Sequence, residues 1–224
     1  MQNIIILLLS SLIWFGSPVT QAEEDGWPPE LNTGKDVYYL DDIERQVLLE
    51  LNKVRHNPRR FAEEYMEELR ASFEGKVYTY PGRTPVNTKE GVGPLNECIQ
   101  ILKEIDPIPI IYPAEGLAQA AFLLADDQQK HGGIGHISKN GSTPQNRIKR
   151  YGNWDICSGE DITYGSFEAR EIVIALLIDD GVPDRGHRKN VLSSCFHFAG
   201  VAYGGHPTYQ SMCVIDYAGD YKTK

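Results

Sequence analysis

Ser158-Gly159-Glu160-Asp161-Ile162 and Arg185-Gly186-His187-Arg188-Lys189-Asn190 decide how this chain is read. Between them runs an apolar stretch that ends in Asp179 and Asp180, and upstream lies Gly135-His136-Ile137-Ser138. Two histidines and a set of carboxylates therefore occupy four separate segments, each beside turn-forming residues. That layout suits convergence on one polar cleft rather than one helix face.

Working outward, the segments fit regular elements. Asp41 and Asp42 are placed to cap a helix with Ile43, Val47, Leu48, Leu51 and Val54 on one face. Asn57-Pro58 ends it, and Pro58 can open a second helix carrying Phe61, Tyr65, Leu69 and Phe73. Residues 74–94 hold Gly75, Pro81, Gly82, Pro85, Gly91 and Pro94 and read as a long loop. A short helix is expected over 95–105, extended chain over 107–111, and a strongly apolar helix over 115–130. Gly132, Gly133 and Gly135 stop that helix, and His136 emerges from the turn. Ser142 or Thr143 can cap another helix, Ser166 one to Ile178, and Asp184 a short one through Leu192. Residues 198–203 and 209–217 read as a terminal β-hairpin. Helices followed by antiparallel strands that they cover make an α+β protein.

Bulk properties narrow the function. The chain has 224 residues, 41% of them hydrophobic and 24% charged, which suits a soluble globular domain. Its net charge of −9 speaks against nucleic acid and against an electrostatic anchor on anionic lipid. The one dense basic run, Arg185, His187, Arg188 and Lys189, has a solvated helix face as its plain reading. Residues 1–22 read as a signal peptide, with an apolar run too short for a comfortable span and small residues before Glu23. Residues 23–40 read as an extended lead-in and 41–220 as the domain. An extracellular protein with no integral membrane association after cleavage is expected.

In an oxidising compartment the four cysteines permit three pairings. Cys195 and Cys213 flank or lie in the hairpin, which favours that bridge and leaves Cys98 with Cys157. Asn140-Gly141-Ser142 is a glycosylation sequon in a turn-like setting.

The chemistry rests on His136, Glu160, Asp179 and His187. Of the adjacent pair Glu160 and Asp161, one is expected to point inward and the other to solvent, because burying both is costly. Asp179 and Asp180 oppose the dipole of the helix they end, which a site role or a nearby cation would explain. The guanidinium groups flanking His187 disfavour imidazolium, so a neutral ring is expected. His56, His131, His197 and His206 read as structural. Three uses remain open for the four cleft groups. They can hold zinc or another divalent ion through His136 and His187, form an acid–base set around water, or lock loops together. No Gly-x-Ser-x-Gly elbow and no Cys–His nucleophile are present.

The ordered set of segments resembles the CAP superfamily, the SCP domain of cysteine-rich secretory and pathogenesis-related proteins. The matching text runs from Leu51-Asn52-Lys53-Val54-Arg55 through Gly135-His136-Ile137-Ser138, Arg147-Ile148 and Ser158-Gly159-Glu160-Asp161-Ile162. It continues with Gly186-His187-Arg188-Lys189-Asn190-Val191-Leu192, like the bacterial-type Gly-His-Arg-x-Asn-Ile-Leu, and ends in Ala199-Gly200-Val201-Ala202 and Val214-Ile215-Asp216-Tyr217-Ala218. The resemblance implies an α-β-α sandwich with a small antiparallel sheet covered by helices. It also implies a cleft of His136, Glu160, Asp179 and His187 that binds a divalent ion or small ligand without catalysis. Two alternatives come with it: a sterol or fatty-acid carrier, and a hydrolase (peptidase) that depends on metal or on His187 and Glu160. A protein partner is a further expectation. The chain departs from the family pattern at Asp161 (usually Asn), at Asp179 (often Glu), at Leu176 (usually Trp) and in the extra segment 74–112.

Overall fold

The computed structural model describes residues 26–80 and 82–224. The expected signal peptide, 1–22, lies outside the described residues, as does the start of the lead-in. The rest of the lead-in is docked, with Trp27, Leu31 and Leu40 buried and the Thr33 hydroxyl donating to the Ile111 carbonyl.

Helix α1 (Asp42–His56) starts where the acidic cap predicts, with Glu44 Oε2 accepting from Asp41 N. It buries Val47, Leu48, Leu51 and Val54, and its last turn carries a buried arginine. The Arg55 guanidinium donates to the carbonyls of Pro109, Val191, Ser193 and Phe196, so one side chain ties two distant segments to α1. Helix α2 is only Pro58–Phe61 and continues as a π-type turn over Ala62–Met66 and a 3-10 turn over Glu68–Ser72.

The expected loop 74–94 is more ordered than its prolines and glycines suggest. It contributes to a small antiparallel sheet of β1 (Phe73–Glu74), β2 (Val77–Tyr78) and β3 (Val86–Asn87). Then come α3 (Gly93–Glu104), β4 (Tyr112–Pro113), α4 (Glu115–His131) and α5 (Pro144–Tyr151). The Thr143 hydroxyl caps α5 by accepting from Asn146 N. After it runs β5 (Gly152–Tyr164), followed by α6 (Ala169–Ile178), α7 (Gly186–Val191), β6 (Phe198–His206) and β7 (Gln210–Thr223).

The main sheet has the order β4-β6-β7-β5. The β6–β7 hairpin is the expected one, but the sheet is not wholly antiparallel, because the short β4 pairs parallel to β6. Strand β5 was not legible, since Gly152-Asn153-Trp154-Asp155-Ile156-Cys157-Ser158-Gly159 has no two-residue alternation. It nonetheless pairs with β7 along its length, apart from a register shift between Asp155 and Ser158. One sheet face carries Val201, Cys213, Ile215 and Tyr217 against α1, α3 and α6. The other carries Ile162, Ala202 and Val214 against Ala121, Leu124 and Ala125 of α4. This is the α-β-α sandwich of an α+β protein, with β5 on one edge of the sheet.

The disulfide differs from expectation. The bridge is Cys157–Cys195, with Cα atoms 6.5 Å apart, and Cys98 and Cys213 are buried free thiols. Register explains the error. Phe198 lies opposite Ala218, which puts Cys195 beyond that end of the hairpin. Cys213 is five residues further along β7, about 17 Å away at a strand's rise. The sequon residue Asn140 is exposed, and its Oδ1 accepts from Ser142 N.

Candidate functional site

The four expected residues converge at the edge strand β5: Glu160 from the strand itself, His136 from the side of α4, and Asp179 and His187 from the side of α6 and α7. His136 lies in the loop between α4 and α5, on the side of the sheet that α4 covers. Several bonds hold that loop. Gln128 Nε2 donates to the Gly135 carbonyl, Gly135 N donates to the Tyr164 hydroxyl, and Arg147 donates to the His136 carbonyl. His187 sits in the first turn of α7, in the opposite layer. The two imidazole centroids are 6.4 Å apart.

Each ring is held by one carboxylate. His136 Nδ1 meets Glu160 Oε1 at 2.8 Å, and His187 Nδ1 meets Asp179 Oδ1 at 2.6 Å. An ionised carboxylate only accepts, so Nδ1 carries the proton in both rings, and Nε2 holds the lone pair whenever a ring is neutral. Both carboxylates are buried, whereas the side chains of His136 and His187 are 45% and 24% exposed. Solvent thus reaches the rings and not their anchors.

Asp179 stands in the left-handed region (φ 56°) at the end of α6. That turn aims its carboxylate at the start of α7, where Oδ2 accepts from His187 N at 2.9 Å. The charge that opposes the α6 dipole is therefore placed at the positive end of α7. Asp180 goes elsewhere, accepting from Lys89 N and Glu90 N.

His187 differs from expectation. Its pKa is raised, first by the bond to Asp179, against a smaller opposing effect of burial. The flanking guanidinium groups do not act on it because both are engaged away from the ring. Arg185 pairs with Glu90 and Glu97, and Arg188 is buried against Glu97 and the carbonyls of Pro94, Leu177 and Ile178. The basic run is thus not a solvated helix face.

Glu160 and Asp161 are both buried, which also corrects the expectation. Alternation along β5 sends them to opposite faces, and helices cover both faces. Glu160 is paired with Arg147, itself fully buried and bonded to Ser138 Oγ and the Ser142 carbonyl. Asp216 lies opposite Glu160 on β7. Burial, then the Glu160 charge, pushes the Asp216 carboxyl well above the usual range, and a protonated Asp216 can donate to Glu160 beside it. A protonated Asp216 leaves the Glu160–Arg147 pair close to neutral overall. Asp161 Oδ1 accepts from Asn190 Nδ2 at 2.7 Å, and the carboxyl also faces the buried Tyr217 hydroxyl.

Burial pushes the Asp161 carboxyl from 3.8 up to about 7. A carboxyl raised in the folded state holds its proton more tightly there than in the unfolded chain. Stability therefore falls as pH rises from the unfolded value through the folded one. Asp161→Asn, the residue usual in the resembled family, should stabilise the protein by on the order of 2 kcal/mol at pH 8. The gain should vanish below about pH 4. Urea unfolding at both pH values checks this, and a pH-independent difference would refute it.

Sequence reasoning missed Arg147, Asn190 and Asp216 as members of the site. One signal was available for the first of them: a buried carboxylate at 160 requires a cation, and Arg147 beside the apolar Ile148 is the nearest in sequence among the quoted segments. His131, His197 and His206 do serve structure, through bonds to the carbonyls of Asp127, Gly219 and Gly133.

A family model described as the cysteine-rich secretory protein family, CAP, matches residues 106–217, half of the chain. The chain belongs to the CAP family. The matched stretch contains all four cleft residues, Arg147 and the Cys157–Cys195 bridge, and it begins after β1–β3 and α3. Among solved structures, an extracellular protein containing an SCP domain from Bacillus anthracis is similar at 20% identity, over 50% of this chain and 34% of that one, with a TM-score of 0.41. This chain thus spans about a third of that protein's length. An outer surface protein from Borrelia burgdorferi is similar at 18% identity, over 56% of this chain and 88% of that one, with a TM-score of 0.41. No curated protein matches the chain. Among the described residues no helix is long and apolar enough to cross a membrane.

Proposed function

We propose that this CAP-family chain is a secreted, non-catalytic protein whose cleft binds a divalent ion such as zinc through His136 and His187. The observation that carries the reading is the pairing of each Nδ1 with its own buried carboxylate. That arrangement fixes the tautomer that leaves Nε2 free to ligate, and at His187 it raises the pKa. Two imidazoles that share a tetrahedral ion at about 2.0–2.1 Å from each nitrogen have centroids roughly 5 Å apart, so these rings, 6.4 Å apart, close by about 1 Å when they bind one ion. Glu160 and Asp179 then act as orienting groups rather than as ligands. Among the described residues no three His, Cys, Asp or Glu side chains already stand in a metal-holding group. Two protein ligands leave the remaining positions to water or to a small ligand, the Lewis-acid chemistry that such an ion supplies.

The other readings have less support. Ser138 is buried and engaged by Arg147, so it is a poor nucleophile. Burial pushes the Cys98 thiol up to about 12 and the Cys213 thiol up as well, which keeps both protonated and unreactive. For a carrier, the groove beside α4, lined by Tyr39, Phe122 and Val201, is small at about 150 Å³, and the larger one of about 850 Å³ against α6 has polar side chains such as Thr84, Asn87, Thr208 and Gln210 in its lining, which a fatty chain or sterol would leave unpaired.

Zinc at about a hundred times its Kd should stabilise the protein by about 2.7 kcal/mol, a rise in Tm of about 5–10 °C. His136→Ala combined with His187→Ala should abolish the shift. Protons compete for the raised His187, so affinity should increase as pH rises through that pKa. No shift in the unaltered protein at millimolar zinc would overturn the reading.

A further inference from the structure

The segment before the CAP match builds a second site. Residues of the small β1–β3 sheet form one wall of a groove of about 850 Å³. Ile174, Ala175 and Ile178 of α6 line its base, and residues of the β5–α6 connection and the β6–β7 turn form the other wall. The groove adjoins the cleft, since Asp180 follows Asp179 and Tyr164, in its wall, holds Gly135 beside His136.

Aromatic rings dominate the lining: Phe73, Tyr78 and Tyr80 on one side, Tyr164, Phe167 and Tyr209 on the other. Phe167 and Tyr209 are 39% and 43% exposed, yet both are held in place. The Arg83 guanidinium lies 5.1 Å from the Phe167 centroid. The Tyr209 ring packs on Tyr164 at 5.2 Å and on His206 at 5.1 Å. Exposed rings in fixed orientations are surfaces that lose little entropy on binding.

Charged groups in the groove are already engaged. Arg83 pairs with Glu168 at 2.9 Å and with Glu171 at 3.6 Å. Glu171 also accepts from Phe167 N, and Asp180 accepts from Lys89 N and Glu90 N. Nothing there selects an ion. Neutral polar side chains complete the lining, among them Thr84, Asn87, Thr208 and Gln210. The Tyr78 hydroxyl is buried in the wall without a partner.

Rigid aromatic faces, neutral donors and acceptors, and no uncompensated charge match one ligand chemistry. A sugar ring has an apolar C–H face that packs on an aromatic ring and an equatorial rim of neutral hydroxyls that bond to amides and hydroxyls. A fatty chain would leave those polar groups unpaired, and an anion would find no free cation. We infer that the groove between β1–β3, α6 and the β6–β7 turn binds a neutral oligosaccharide of a few rings, independently of metal in the adjoining cleft.

The test uses the mature protein treated with a chelator, and as probes cellotetraose, chitotetraose and xylotetraose. Binding of at least one probe is expected by calorimetry, with Phe167→Ala and Tyr209→Ala each weakening it about tenfold, the loss of one stacked ring. Both substitutions are at exposed positions, and circular dichroism confirms that the variants fold. His136→Ala should leave sugar affinity unchanged, which separates this inference from the metal reading. No binding of any probe up to about 10 mM would overturn it, since weaker affinity is not recognition. Binding unaffected by either aromatic substitution, or palmitate competing for the same rings, would overturn it as well.

Discussion

Arg147→Met is expected to cost about 3–5 kcal/mol of folding stability, the range for removing one partner of a buried ion pair. The arginine is fully buried on α5 and pairs with Glu160, which is buried too. Without it the Glu160 carboxylate faces only His136 and the raised Asp216, and Ser138 and two loop carbonyls lose their donor. Methionine retains much of the side-chain volume, so the loss reports charge rather than a cavity. Adding Glu160→Gln should restore most of the stability, because the uncompensated charge disappears with it. A double-mutant cycle in urea checks both steps. A single-variant cost below about 1 kcal/mol would show that solvent reaches the pair.

Gly200→Ala should be the most damaging single-methyl change in the molecule, costing about 4 kcal/mol or more against about 1–3 for ordinary overpacking. A Cβ at Gly200 would lie 1.9 Å from Ala118 N and 2.1 Å from Leu117 C, both backbone atoms of α4. The helix cannot yield easily, because Leu117, Ala120, Ala121 and Leu124 are all fully buried beneath it. Gly204 on the same strand and face gives the control. A Cβ there meets only the tip of the Gln129 side chain at 3.0 Å, so Gly204→Ala should cost less than about 1 kcal/mol. Little or no soluble Gly200→Ala protein beside well-folded Gly204→Ala is the expected result. Equal stability of the two would mean that α4 does not rest on the sheet through that glycine.

Much of the site was legible before any tertiary structure. His136, Glu160, Asp179 and His187 stand in the segments singled out at the start, and they meet at the edge of β5. The neighbours of those residues were not legible. Glu160 stands in no visibly alternating stretch, yet it lies in a strand whose alternation is hidden because both faces are covered. His187 was expected to be neutral because two arginines flank it. Sequence adjacency overstated that effect, since Arg185 and Arg188 turn toward Glu90, Glu97 and backbone carbonyls.

Local periodicity determined the helices over 42–56, 115–131 and 169–178 and the terminal hairpin, because each is set by residues a few positions apart, although the last helix starts after Glu168 and not at the expected cap Ser166. The layout of the four segments allowed two histidines and two carboxylates to share a cleft, and the resemblance to the CAP family singled out which four. Pairing across distance was decided only by tertiary structure: Cys157 with Cys195, Arg147 with Glu160, and β5 along β7. The aromatic groove formed by the 74–94 segment belongs to the same class. Such contacts depend on register and on which faces are covered, and a one-residue slip along a strand reverses every side chain it carries.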